Sequence, residues 1–251
     1  MRLRNDHIIV FGGGSGIGKA IAARLAAACA SVVITGRTEE KLADACREIG
    51  SENVTYRVFD ITDIARHDAF FTECEQLMGG LSGFVNAAAL GTGAYTGRGY
   101  EPWDITEEEW DALTDTNFKA AFFLMRNEID LMKARSVRGN ILNIASNAAC
   151  MGIVGSYGAA KLAVIKWTRA LGNREGCNGI IINGIAPGAT FTPMIARSAH
   201  DINQPYPRHA IGRFIRPDEI AELAFYLMSD YGEIICGHTV VADGGDKAAT
   251  L

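Results

Sequence analysis

The sequence predicts an α/β protein: one Rossmann-like domain over residues 1–251, with a doubly wound parallel sheet of about seven strands and helices on both faces. Three observations carry this. Short β-rich runs alternate with longer helical patterns along the whole chain. The strand runs are apolar almost throughout, as strands buried on both faces must be. No composition break or Pro/Gly-rich linker divides the chain. Each crossover is expected to be right-handed.

The elements follow in order. HIIVF (7–11) reads as a buried strand and KAIAARLAAACA (19–30) as an Ala-rich helix. SVVITG (31–36) is a second strand, EEKLADACREI (39–49) a second helix, and NVTYRVFD (53–60) a third strand. A helix follows over residues 63–78, then the strand SGFVNAAA (82–89). A helical stretch through 107–134 leads to the strand GNILNIAS (139–146). GSYGAAKLAVIKWTRALGNRE (155–175) is a long helix. The strands GIIINGIAPG (179–188) and HTVVADGG (238–245) enclose the helix PDEIAELAFYLMSD (217–230). Segments 90–104 and 189–212 are irregular and rich in Gly, Pro and aromatic residues, the composition of substrate loops.

Composition narrows the classes of function. The chain is 48% hydrophobic and 21% charged, ordinary for a globular protein with a good core. A formal net charge of -5 gives no basic footprint for nucleic acid. Six cysteines are scattered without CxxC or metal-type spacing, and no His/Cys/carboxylate cluster suggests a metal. No apolar run reaches the roughly 18 residues that suggest a membrane span. MRLRNDHIIV (1–10) enters a strand directly, with no signal-peptide pattern. A cytoplasmic enzyme or binding protein is the expectation, its partner a small molecule.

FGGGSGIGKA (11–20) follows the first strand and opens the first helix. It does not match GxGxxG; Gly12, Gly16 and Gly18 are spaced G-xxx-G-x-G. Glycine lets the backbone turn tightly and lets a pyrophosphate reach the N–H groups of a helix N-terminus. A flexible turn without ligand is the plainer reading, and the position after the first strand favours phosphate. The second strand ends T-G-R-T (35–38), with no carboxylate to grip an NAD ribose. Arg37 matches a 2′-phosphate in forked geometry, so NADP(H) is expected over NAD(H), against the reading of a solvated loop arginine. Asp60, ending the third strand, either bonds an adenine or caps the next helix.

SYGAAKLAV (156–164) sets Tyr157 and Lys161 four residues apart, on one face of a helix. A tyrosine with a pKa of about 10 is a poor base at neutral pH, and a nearby ammonium favours the phenolate. The pair is suited to moving a proton on or off an alcohol oxygen. Taken alone, the spacing is also met by chance on helix surfaces.

Along essentially its whole length the chain resembles the short-chain dehydrogenase/reductase family. FGGGSGIG resembles the family's TGxxxGIG, with Phe11 in place of threonine, and NAAA (86–89) resembles NNAG, with Ala87 and Ala89 as departures. Asn117 in DTNFKAAF and Ser146 ending NILNIAS fall at the catalytic asparagine and serine, and SYGAAK supplies the tyrosine and lysine. NGIAPGATFTPM (183–194) resembles the PG motif with its downstream TP. The resemblance implies Tyr157 as general acid in reduction and base in oxidation. Lys161 would lower its pKa and bind nicotinamide ribose hydroxyls. Ser146 would bond the substrate oxygen, and Asn117 would hold a relay water behind Lys161. It implies cofactor contacts from Gly12, Gly14, Ser15, Gly16, Ile17, Gly18, Arg37, Thr38, Asp60, Ile61, Ala87, Ala88, Tyr157, Lys161, Pro187, Gly188, Thr190 and Thr192. Asn86 would support the cofactor or the sheet. Relatives usually assemble as tetramers through the helices near 107–134 and 155–175, where Phe118, Phe122, Phe123, Leu162, Ile165 and Trp167 lie.

The departures matter locally. Ser146 precedes Tyr157 by eleven residues, fewer than in many relatives, which makes Asn147 an alternative polar partner. Specificity is expected from Tyr95, Arg98, Tyr100 and Trp103, from Phe191, Met194, Arg197, His200, Tyr206, Arg208 and His209, and from Met151, Ile153 and Val154. Aromatic and apolar groups with a few cations suit a bulky apolar secondary alcohol or ketone such as a hydroxysteroid. The same aromatics could instead pack the lid onto the body. His200 and His209 read as surface or lid residues. Alternatives are a 3-oxoacyl-thioester reductase, an NAD(H)-linked sugar or polyol dehydrogenase, and a catalytically silent dinucleotide sensor.

Overall fold

The computed structural model describes residue 3 and residues 6–96, 102–151, 155–195 and 201–248. Seven parallel strands form one sheet: β1 His7–Phe11, β2 Ser31–Gly36, β3 Val54–Val58, β4 Gly83–Asn86, β5 Gly139–Ile144, β6 Ile180–Pro187 and β7 Thr239–Ala242. Their spatial order is β3-β2-β1-β4-β5-β6-β7. The order reverses direction between β1 and β4, which opens a crevice beyond their carboxyl ends.

The helices are α1 Gly16–Ala26, α2 Glu39–Ile49, α3 His67–Met78, the short α4 Thr92–Thr96, α5 Glu107–Thr114, α6 Ala121–Ala134, α7 Ser156–Glu175 and α8 Pro217–Leu227. Strand alternation explains the two layers. Ile8 and Val10 of β1 face one way, among Ile21 and Leu25 of α1 and Ala221 and Phe225 of α8. Ile9 and Phe11 face the other way, among Phe71 of α3 and Leu124 of α6. α7 lies on that second side, where its Thr168 hydroxyl accepts a hydrogen bond from the Asn143 side chain of β5.

Phe11, where relatives have threonine, is fully buried. Its ring lies 6.4 Å from Phe59, 6.3 Å from Phe70 and Phe71, and 6.4 Å from Phe84. The residue has traded a hydroxyl for the centre of an aromatic cluster.

Several strands and helices are shorter than the sequence reading made them, and two differences bear on the site. The first helix begins at Gly16 and ends at Ala26 rather than spanning 19–30. Its end is set by Cys29, which takes a left-handed conformation (φ 68°). The helical stretch over 107–134 is three pieces, because a π-helical segment, Asp115–Ala120, separates α5 from α6 and carries Asn117. Such wide turns commonly mark functional positions.

Candidate active site

A cavity of about 990 Å³ lies over the carboxyl ends of the strands. At one end the Gly-rich turn forms its floor. The amides of Gly12 and Gly13 both donate to the Thr35 carbonyl, at 2.9 and 3.1 Å, which ties the turn to β2. Gly12 has φ 77°, and a Cβ there would lie 2.7 Å from Ala88 Cα. A Cβ on Gly18 would lie 2.3 Å from the Gly12 carbonyl oxygen. Only glycine fits either place. α1 starts at Gly16, with no capping bond from the Ser15 side chain and no acid in its first turn. Its N–H groups and the positive end of its dipole meet the cavity, where Gly14, Ser15, Gly16, Ile17 and Gly18 all line the wall. The cradle suits a pyrophosphate.

Beyond β2, Arg37, Thr38 and Lys41 border the same cavity. Arg37 and Lys41 are exposed, and neither forms an ion pair with a described carboxylate. Asp60 and Ile61 also line it. Asp60 is no helix cap: its Oδ1 accepts from the Thr62 amide at 2.9 Å and the Thr62 hydroxyl at 2.8 Å, a local turn.

At the other end stand Ser146, Tyr157 and Lys161, all on the cavity wall. Tyr157 sits in the first turn of α7, and Lys161 Nζ is 5.7 Å from its ring centroid. Lys161 is 4% exposed, and its Nζ donates to the Ile144 carbonyl at 2.9 Å. Burial pushes its ammonium down to about 8. Ser146 follows β5, and its Oγ accepts from the Ala148 amide at 3.1 Å. That bond leaves the serine proton to donate elsewhere. Asn147 Nδ2 donates to Asp246 Oδ2 at 2.8 Å, which engages its amide. Arg208 Nε donates to Asp246 Oδ1 at 2.7 Å. Burial works against the Asp246 charge, yet Arg208, the Ala248 amide and Asn147 hold the carboxyl below its ordinary value. Asn147, Met151, Met194, Tyr206, Arg208 and Asp246 all border the cavity at this end.

Behind Lys161 is a second, separate cavity of about 20 Å³, lined by Asn86, Asn117 and Asn143 among apolar groups. It is polar enough and large enough for one water. Asn117 grips the chain at Leu90, accepting from its amide at 3.0 Å and donating to its carbonyl at 2.8 Å.

The match of one family model, described as enoyl-(acyl carrier protein) reductase, runs over residues 12–246 and spans both the cradle and the Tyr157–Lys161 pair. A 2,5-dichloro-2,5-cyclohexadiene-1,4-diol dehydrogenase of Sphingobium indicum is 34% identical over 255 residues, 98% of each chain. The chain belongs to the short-chain dehydrogenase/reductase family. Another family member, levodione reductase of Leifsonia aquatica, is 31% identical and covers 99% of this chain and 96% of its own. A crystal structure of a variant actinorhodin polyketide ketoreductase with NADPH is 27% identical, has a TM-score of 0.83, and covers 97% of this chain and 98% of its own. These relatives are oxidoreductases of alcohols and ketones, and the family's cofactor is a nicotinamide dinucleotide.

The sequence-derived site residues of this short-chain dehydrogenase/reductase sort cleanly. Gly12, Ala87, Ala88, Pro187, Gly188, Thr190 and Thr192 line the main cavity with those already placed. Asn86 does not: its side chain points behind the cavity into the polar layer between β4, β5 and α6, so it supports the sheet. Asn117 reaches only the small cavity. Tyr95 and Trp103 are 43% and 83% exposed and do not line the main cavity, nor does Phe191. His209 is buried against Tyr206 rather than on the surface, because its Nδ1 is tied to the Arg213 carbonyl. Arg98, Tyr100, Ile153, Val154, Arg197 and His200 lie outside the described residues.

Three residues escaped the sequence reading. Lys41, in the first turn of α2 and four residues after Arg37, is a second cation next to the one the sequence singles out. Asp246 meets Arg208 across a separation of 38 residues. Glu128 looks like any helix-surface acid, yet it is fully buried. Neither acid left a local signal. Among the described residues, no cluster of His, Cys, Asp or Glu could hold a metal, and no helix is long and apolar enough to cross a membrane.

Proposed function

We propose that the protein is an NADP(H)-dependent oxidoreductase that interconverts a bulky, largely apolar secondary alcohol and its ketone. The single observation that carries the reading is the buried Lys161 ammonium beside Tyr157, on the wall shared with Ser146 and continuous with the glycine cradle. A bound nicotinamide supplies or accepts the hydride. The residues do the rest. The Ser146 hydroxyl donates a hydrogen bond to the substrate oxygen, favouring the charge that develops there. Tyr157 gives that oxygen a proton in reduction and takes it back in oxidation. The Lys161 ammonium favours the phenolate that remains. Lys161 faces the small cavity that Asn117 borders, a place for the water that returns the proton.

Arg37 and Lys41 support the preference for NADP(H): two exposed cations with no described carboxylate partner border the end of the cavity where a 2′-phosphate would lie. Met151, Met194 and Tyr206 at the other end support an apolar ring-bearing substrate, hydroxysteroids included. The diol dehydrogenase named above, whose substrate is a six-membered ring, favours the same class. The exposed Phe118 of the π-helical segment and Phe122 of α6 pack against Trp167 of α7, at 4.9 and 5.1 Å, which supports the reading of this face as the seam of a homotetramer, with the protein in the cytoplasm.

The test is reduction of NADP+ and NAD+ with cyclic diols and hydroxysteroids, and oxidation of NADPH and NADH with cyclic and aromatic ketones, on the wild type and Arg37→Ala. The substitution weakens NADPH binding by roughly 10–100-fold, the value of one or two charge-assisted bonds, and leaves NADH unchanged. Equal NADPH affinity in both proteins overturns the phosphate assignment.

A further inference from the structure

We propose that Glu128 is a positioning residue that works as a neutral acid: its Oε1–H donates to Asn86 Oδ1 while its Oε2 accepts from Asn86 Nδ2, and the closed pair fixes the wall of the cavity behind Lys161. The inference rests on the reading given under Proposed function for its catalytic consequence. The protonation itself does not.

The polar layer between the sheet and its second helical side carries the argument. Asn86 Nδ2 donates to Glu128 Oε2 at 3.1 Å and to Asn143 Oδ1 at 2.9 Å. Asn143 Nδ2 donates to the Thr168 hydroxyl at 3.0 Å, and that hydroxyl donates to the Val164 carbonyl at 2.8 Å. Every link is accounted for except two buried acceptors without a partner, Glu128 Oε1 and Asn86 Oδ1. They belong to the two residues already joined by one bond. One proton on the carboxyl satisfies both, because a protonated acid is a donor and an acceptor at once, as a primary amide is. An ionised carboxyl leaves Glu128 Oε1 a stranded charge in the interior, and leaves Asn86 Oδ1 no donor beyond a water in the small cavity.

The charges around Glu128 do not favour its ionisation. β4 and β5 present amides, Asn86 and Asn143. α3 presents His67, which bonds the Ile61 carbonyl and the Asn127 amide and is held towards neutrality by burial. α7 presents Lys161, whose ammonium is turned to the Ile144 carbonyl. On α6 itself Arg126 bonds Asn127, and Lys133 pairs with Glu175. Among the described residues no cation pairs with Glu128. Burial pushes its carboxyl up to about 8, against a smaller downward pull from the Asn86 bond.

The link to the site is direct. Asn86 and Asn143 line the small cavity together with Asn117 and Lys161. Glu128 therefore acts on that cavity through the Asn86 amide, which it orients from behind.

The experiment is infrared spectroscopy of the wild type and Glu128→Gln, together with steady-state kinetics of Glu128→Gln and Glu128→Asp. The wild type shows a protonated-carboxyl C=O band at about pH 6.5, far above the ordinary carboxylate range, and Glu128→Gln lacks it. Glutamine reproduces the donor–acceptor pair and keeps kcat within about twofold. Aspartate withdraws the group by one methylene and lowers kcat by roughly tenfold or more with cofactor KM unchanged. A wild-type spectrum without that band, or a band that persists in Glu128→Gln, overturns the neutral acid whatever the catalytic reading. A full kcat in Glu128→Asp overturns the positioning role alone.

Discussion

Removing the Lys161 amine should stabilise the fold. Lys161 is 4% exposed, and its ammonium is pushed from 10.5 down to about 8 by burial. The unfolded chain keeps its proton up to 10.5, so between 8 and 10.5 the unfolded state binds more protons than the folded one. Stability attributable to this group therefore rises with pH across that window, and at neutral pH the charged amine costs the fold about 3 kcal/mol. Lys161→Met removes that cost and packs the stem with a similar volume. It also strands the Ile144 carbonyl, which costs about 1–3 kcal/mol. The balance is a gain of about 1 kcal/mol at pH 7, or roughly 2–4 °C in Tm for a chain of this size. Calorimetric melts of both proteins at a series of pH values measure it. The variant should melt higher at neutral pH, and towards the alkaline end its advantage should turn into a deficit, because only the stranded Ile144 carbonyl remains. A lower neutral Tm with an unchanged pH slope would refute the buried, costly ammonium.

Phe11→Ala empties the centre of the aromatic cluster and should cost about 3–5 kcal/mol in chemical denaturation. A loss below about 1 kcal/mol would show that the cluster repacks. Ser146→Ala removes the hydroxyl donor at the substrate oxygen and should lower kcat by about 10²–10³-fold, with little change in Tm because the bond to the Ala148 amide is a single local cap. A near-normal kcat would hand that role to another donor.

The sheet was legible because parallel strands buried on both faces must be apolar almost throughout, and HIIVF, SVVITG and GIIINGIAP nearly are. The glycine cradle and the Tyr157–Lys161 pair were legible because each is local, set by a turn or by one helical repeat. What stayed hidden depends on long-range meetings. The periodicity through 107–134 gives no sign of the π-helical register around Asn117, which places its amide on the Leu90 backbone. Phe11 read only as a departure from threonine until α3, β4 and the residue after β3 brought four more phenylalanines around it. Asn86 sits in a family motif next to cavity-lining alanines, but strand alternation turns its side chain to the opposite side. Glu128 has a solvated residue's identity and a core residue's place.

The most direct measurement is Tyr157→Phe, followed in the same preparation by fluorescence titration with NADPH and by turnover of a ketone the wild type reduces. Loss of one phenolic oxygen should leave NADPH affinity within about threefold and cut kcat by at least about 10²-fold, the scale of general acid catalysis. Turnover that survives the substitution would contradict the claim that this phenol moves the proton.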